Sequence, residues 1–122
     1  MSKVVLTPEE KKDFFKRFLD VIEYSYKSGV LPDFLIDFFS DTEMDTFIKR
    51  LEVFKRLSKG ESYAKLNHEL SVSPITTSKV SKALRDSSDN FKKILDSLST
   101  ESTPSVTQKM QDASSKRKSY LG

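Results

Sequence analysis

Residues 71–85 read SVSPITTSKVSKALR, and the way that stretch folds decides the architecture around it. Ser73 before Pro74 is a helix-start signature. A serine hydroxyl accepts from the first free amides of a helix, and proline suits the first helical position, where a backbone N–H would have no partner. The spacing predicts a helix over residues 74–87. At about 100° per residue, Val80 and Leu84 share one face, with Thr77 between them. The opposite face carries Ile75, Ser78, Lys79 and Lys82, with Arg85 at its flank. No acid stands within the stretch.

The preceding residues, ESYAKLNHEL at 61–70, predict another short helix, which leaves SVS at 71–73 as a tight turn. Two short helices joined by such a turn make a helix-turn-helix, here spanning about residues 62–86. Leu66, Leu70, Val72, Val80 and Leu84 supply apolar side chains where the two helices meet each other and their support. In such motifs the N-terminal part of the second helix meets base edges in the major groove. Short polar residues let the backbone approach closely. Serine and threonine donate or accept, Ile75 can meet a thymine methyl, and Lys79 can meet guanine or phosphate. The candidate DNA-contacting residues are therefore Pro74, Ile75, Thr76, Ser78, Lys79, Lys82 and Arg85. Three positions depart from the common pattern: Ser71 replaces the turn glycine, Asn67 a small alanine, and Thr77 an aliphatic residue. A hairpin used only for packing is the competing reading, but it has less reason for an acid-free polar face.

Further out, LTPEEKK at 6–12 opens a long helix with a capping box: Thr7 as cap, Pro8 at the first position and Glu10 three residues on. Phe14, Phe15, Phe18, Leu19, Ile22 and Tyr26 follow at helical spacing, and Gly29 stops the run. Pro32 starts a short helix rich in Phe34, Leu35, Ile36, Phe38 and Phe39. Ser40 or Asp41 then caps a helix carrying Met44, Phe47, Ile48, Leu51, Phe54 and Leu57, ended by Gly60. A sixth helix, DNFKKILDSLS at 89–99, carries Phe91, Ile94, Leu95 and Leu98. No strand pattern competes, so the fold class is all-α, with six helices over residues 1–99. Residues 100–122 are rich in Ser and Thr, bury too little to offset their ordering, and are expected to form a mobile tail. SKRK at 115–118 could touch phosphate, although a solubilising end is the plainer reading.

Composition narrows the function. The length, 122 residues, suggests one domain, and 36% hydrophobic with 32% charged residues fits a soluble helical protein. No apolar run approaches the roughly 18 residues of a membrane span, and the first twelve residues become charged too early for a secretory signal. No membrane partner and a cytoplasmic location are expected. Cysteine is absent, and His68 is the only histidine, so neither thiol chemistry nor a typical zinc site is available. No metal, no cofactor and no enzyme activity are expected, because no nucleophile–base pair or glycine-rich phosphate loop appears. Eight of the nine phenylalanines precede residue 55, more apolar surface than under 100 structured residues can cover. A homodimer with interleaved helices would cover it.

From LPDFLIDFFSDTEMDTFIKRLEVFKRLSKGESYAKLNHEL through SVSPITTSKVSKAL, the chain resembles the Trp repressor superfamily. The likeness covers about residues 13–98, and the second segment is closest to the uncharacterised Trp-repressor-like bacterial proteins. It implies an intertwined homodimer presenting two helix-turn-helix heads to double-stranded DNA: a sequence-specific transcriptional regulator, a repressor. It also implies a candidate effector pocket. Arg50 and Lys79 match the two arginines that sandwich the corepressor indole, and Thr76 and Ser40 match two pocket threonines. Val80 stands in place of a glycine, and Ala83 in place of a serine. A lysine stacks less well than a guanidinium, and Val80 projects into the indole's space, so the expected effector is an unknown small molecule rather than L-tryptophan. Family positions that hold basic residues on the first motif helix are Ala64 and Asn67 here, with Lys65 one place off and Lys59 as a substitute. A protein-interaction module that keeps the fold without DNA contacts is the alternative.

Overall fold

The structure, a computed structural model, describes residues 5–98 and 120–121. Its elements are α1 (Pro8–Lys27), α2 (Leu31–Phe38), α3 (Asp41–Ser58), α4 (Tyr63–Leu70), α5 (Pro74–Arg85) and α6 (Asp89–Ser97). The expected tail, apart from Tyr120 and Leu121, lies outside the described residues.

Local chemistry places most of these boundaries. Thr7 Oγ1 accepts from Glu10 N at 3.1 Å, while Thr7 N donates to Glu10 Oε1 at 2.9 Å. The same reciprocal box opens α3, where Ser40 Oγ accepts from Glu43 N at 3.1 Å and Ser40 N donates to Glu43 Oε1 at 2.8 Å. Ser62, Ser73 and Ser88 cap α4, α5 and α6. Each cap satisfies an amide that the helix itself leaves without a partner. At the other ends, Gly29 and Gly60 adopt φ of 75° and 84°, the left-handed turn that ends a helix cheaply only at glycine.

The chain forms two compact units, α1 with α2, and α3 through α6. In the first, the rings of Phe18, Phe34 and Phe38 cluster, with Phe34 and Phe38 stacked at 5.2 Å. Much of the apolar surface of this unit still faces solvent: Phe15 is 61% exposed, and Phe38, although in the cluster, 58%. In the second unit, α3 packs against α4, α5 and α6, and α4 against α5. Its core holds Val53, Phe54, Val72, Val80 and Leu95, with Phe91 edge-on to Phe54 at 5.0 Å.

Several details differ from the sequence reading: among them, α4 begins at Tyr63, behind the Ser62 cap, rather than at Glu61, and α6 ends at Ser97. Phe39 lies just past α2, edge-on to Phe47 at 4.5 Å, because the chain turns into the Ser40 cap there. Helix α5 ends at Arg85, two residues early, with Asp86 as its C-cap. Leu84 is only partly buried, at the margin of the core, so Val80 and Thr77 are the residues that anchor α5.

Candidate nucleic-acid interface

The turn between α4 and α5 is the three residues Ser71–Ser73. Ser71 takes the conformation expected of the missing glycine, with φ 53° and ψ 43°. A side chain there costs roughly 1 kcal/mol or more, and the local geometry supplies no offsetting hydrogen bond for it among the described residues. Val72 then turns inward, and Ser73 Oγ accepts from Thr76 N at 3.1 Å and donates to Thr76 Oγ1 at 3.0 Å.

Helix α5 has a wet face and a dry one. Pro74, Ile75, Thr76, Ser78, Lys79, Lys82 and Arg85 are all exposed, Ile75 by 69%. Thr77 and Val80 are fully buried, with Ala83 and Leu84 packed alongside. An isoleucine left in water beside hydroxyls and cations, with no acid from Pro74 to Arg85, is a surface suited to a polyanion with apolar features in its groove. Arg85 Nη1 donates to Ser81 Oγ at 3.0 Å, so that guanidinium lies back along its own helix.

Two departures from the common motif turn out to be one interaction. Thr77 Oγ1 donates to Asn67 Oδ1 at 2.6 Å, with the Ser73 carbonyl oxygen a longer acceptor at 3.2 Å. A hydroxyl has one proton, and the shorter contact takes it. The polar pair ties α4 to α5 where an aliphatic side chain would meet an alanine. Asn67 is thereby committed to the inside of the head, and Lys65 Nζ pairs with Glu61 Oε1 at 3.3 Å, so neither is a bare phosphate contact. Thr77→Val keeps the shape but strands the Asn67 oxygen. It is expected to cost ~1–2 kcal/mol, and adding Asn67→Ala should recover part of that. Urea unfolding of both single variants and the double checks it: strictly additive losses would mean that the two side chains are not coupled.

Beside the turn, a hollow of about 370 Å³ is bordered by Asp45, Lys49 and Arg50 of α3 and by Ser73, Thr76 and Val80. The Arg50 guanidinium lies over the Phe54 ring, 5.2 Å from its centroid. Two of the four effector-pocket residues, Arg50 and Thr76, therefore border one hollow. Ser40 and Lys79 are not among the described residues that line it: Ser40 spends its hydroxyl on the α3 cap, and Lys79 points to the wet face. The described residues contain no group of three or more His, Cys, Asp or Glu able to hold a metal ion, and none of their helices is long and apolar enough to cross a membrane.

A sequence model of the family described as Trp repressor protein matches residues 12–99, which takes in all of α2–α6 and most of α1. No curated protein and no solved structure matches the chain.

Proposed function

The chain belongs to the Trp repressor protein family, and on that premise we propose that it is a sequence-specific DNA-binding transcriptional regulator, a repressor, working as a homodimer in the cytoplasm. The observation that carries the reading is the division of α5: Thr77 and Val80 buried, and Ile75, Ser78, Lys79 and Lys82 in solvent without an acid among them. In this arrangement Lys79 and Ser78 reach base edges while Lys82 neutralises phosphate. The hollow beside Thr76 supports an effector site for a small molecule still to be identified. L-tryptophan fits it poorly, since Val80 lines the wall where the family has glycine.

Selection from a random duplex library tests the proposal. Two heads related by a two-fold axis should select a near-palindrome with half-sites ~34–36 Å apart, the spacing known for helix-turn-helix dimers, Trp repressor included. Lys79→Ala should weaken the selected duplex by about tenfold and relax preference at one position, whereas Lys82→Ala should weaken all duplexes alike and flatten the salt dependence. The second reading, a protein-interaction module, draws on the engagement of Asn67 and Lys65 within the head. It takes over if no consensus emerges and both variants bind DNA like the parent.

A further inference from the structure

Helix α4 has eight residues, too few to hold its own direction in water. One side chain of α3 reaches both of its ends. Arg56 Nη1 donates to Glu69 Oε1 in the last turn of α4, and the same nitrogen lies 3.8 Å from Oε1 of Glu61, which immediately precedes the Ser62 cap. Arg56 Nε donates to Glu52 Oε2 at 3.2 Å, one turn back on α3, and Lys55 Nζ lies 3.2 Å from the same oxygen. The forked guanidinium is therefore aimed from behind and loaded in front. The backbone reinforces the link, with Glu61 N donating to the Arg56 carbonyl at 3.1 Å. Glu61 Oε1 is buried and receives no hydrogen bond; the charges of Arg56 and of Lys65, at 3.3 Å, are what compensate it.

We propose that Arg56 is the positioning residue of the DNA-reading head: by holding both ends of α4 it sets the angle at which α5 is presented. The proposal rests on the DNA-binding reading above and names the residue that aims the interface. Position passes from Arg56 to α4, and from α4 to α5 through Asn67 and Thr77. None of this network belongs to the apolar core of Val53, Phe54, Val72, Val80 and Leu95, and the Glu69 side chain is exposed to solvent over part of its surface. Ion pairs at such a margin contribute little to global stability, but a planar fork shared by three carboxylates fixes direction in a way a point charge does not. The charge states agree with the geometry. The bond from Arg56 holds the Glu69 carboxyl below its ordinary range, and the Arg56 guanidinium is raised, first by Glu69 and then by Glu52. Burial pushes Glu52 up, but hydrogen bonds from Lys55 and Arg56, with their charges, outweigh it and bring it below its ordinary value. All three groups are charged at neutral pH.

Amide hydrogen exchange and duplex binding of the full chain test the proposal, with the parent, Arg56→Gln, Arg56→Lys and Glu69→Gln compared. Arg56→Gln should speed exchange across α4 by about tenfold while leaving α6 unchanged, and should weaken the selected duplex by a similar factor. Arg56→Lys keeps the charge, loses the fork, and should recover only part of both. Unchanged α4 exchange in Arg56→Gln overturns the proposal, as does equal acceleration in α6, which would mean general destabilisation. Faster α4 exchange with unaltered DNA affinity overturns it too, since α4 would then be held but not aimed. If Arg56→Gln fails to fold, α4 exchange in Glu69→Gln decides. If the parent binds no duplex at all, the DNA-binding reading falls, while the exchange comparison still reports whether Arg56 holds α4.

Discussion

Leu66→Ala should cost ~2–5 kcal/mol and unfold the helix-turn-helix first. Leu66 is 0% exposed on a helix of eight residues, so a large share of what α4 buries is this one side chain. Truncation removes the transfer energy of three carbons and leaves a cavity, because α4 is held between α3 and α5 and cannot collapse freely into the gap. At ~4–8 °C per kcal/mol for a domain of this size, a 3 kcal/mol loss lowers the melting temperature by roughly 10–25 °C. Leu84→Ala removes the same atoms from a half-buried site and should cost clearly less. The comparison is made by thermal and urea unfolding of the two variants side by side. Equal losses would contradict the burial pattern, and a loss under ~1 kcal/mol for Leu66→Ala would mean that α4 is anchored elsewhere.

Phe38→Lys should leave the single chain folded and take the proposed dimer apart. The ring is 58% exposed within one chain, where it packs on Phe34 and Phe18, and it takes no part in the core of Val53, Phe54, Val72, Val80 and Leu95. In a two-fold dimer every substitution counts twice. Covering the exposed part of such a ring contributes ~1–1.7 kcal/mol, and two of them ~2–3.4 kcal/mol, which at 1.4 kcal/mol per decade raises the dissociation constant ~30–300-fold. A lysine is chosen because its charge suits the C-terminal end of α2, where an acid would oppose the helix dipole. Sedimentation of the parent at micromolar concentration should give about twice the 14.0 kDa chain mass, and the variant about once. A parent that sediments as one chain would remove the dimer, and with it the reason to expect a palindromic target. A variant that stays paired would move the interface away from Phe38.

The sequence by itself determined the helix order, most helix starts and, less closely, the helix ends, and which side of α5 faces out. Those outcomes depend on forces that act within a turn or two. Thr7, Ser40, Ser62, Ser73 and Ser88 cap amides two or three residues away, Gly29 and Gly60 supply a left-handed turn, and the 3.6-residue period separates Val80 from Lys79. Even Ser71, which lacks glycine's freedom, is driven into a glycine's conformation by the helices on either side of it. The family was legible for the same reason, since its helix order is a string of local signals, and the matched span of 12–99 agrees with it.

Only the tertiary structure decided how the head is held. Asn67 and Thr77 looked like two unrelated departures until their side chains met across ten residues, and Arg56 meets Glu69 across thirteen. Nothing periodic marks such pairs, because their geometry follows from how α3, α4 and α5 stack. The same stacking buries Thr77 completely and leaves Leu84 at the margin, the reverse of what side-chain polarity predicts. It also brings Arg50 and Thr76 to the border of one hollow, while the Ser40 hydroxyl serves the α3 cap and Lys79 is exposed on α5. Caps and periods are written in neighbours along the chain; partners that meet across helices are selected by packing, where a buried polar group must find whatever complement the fold brings within reach.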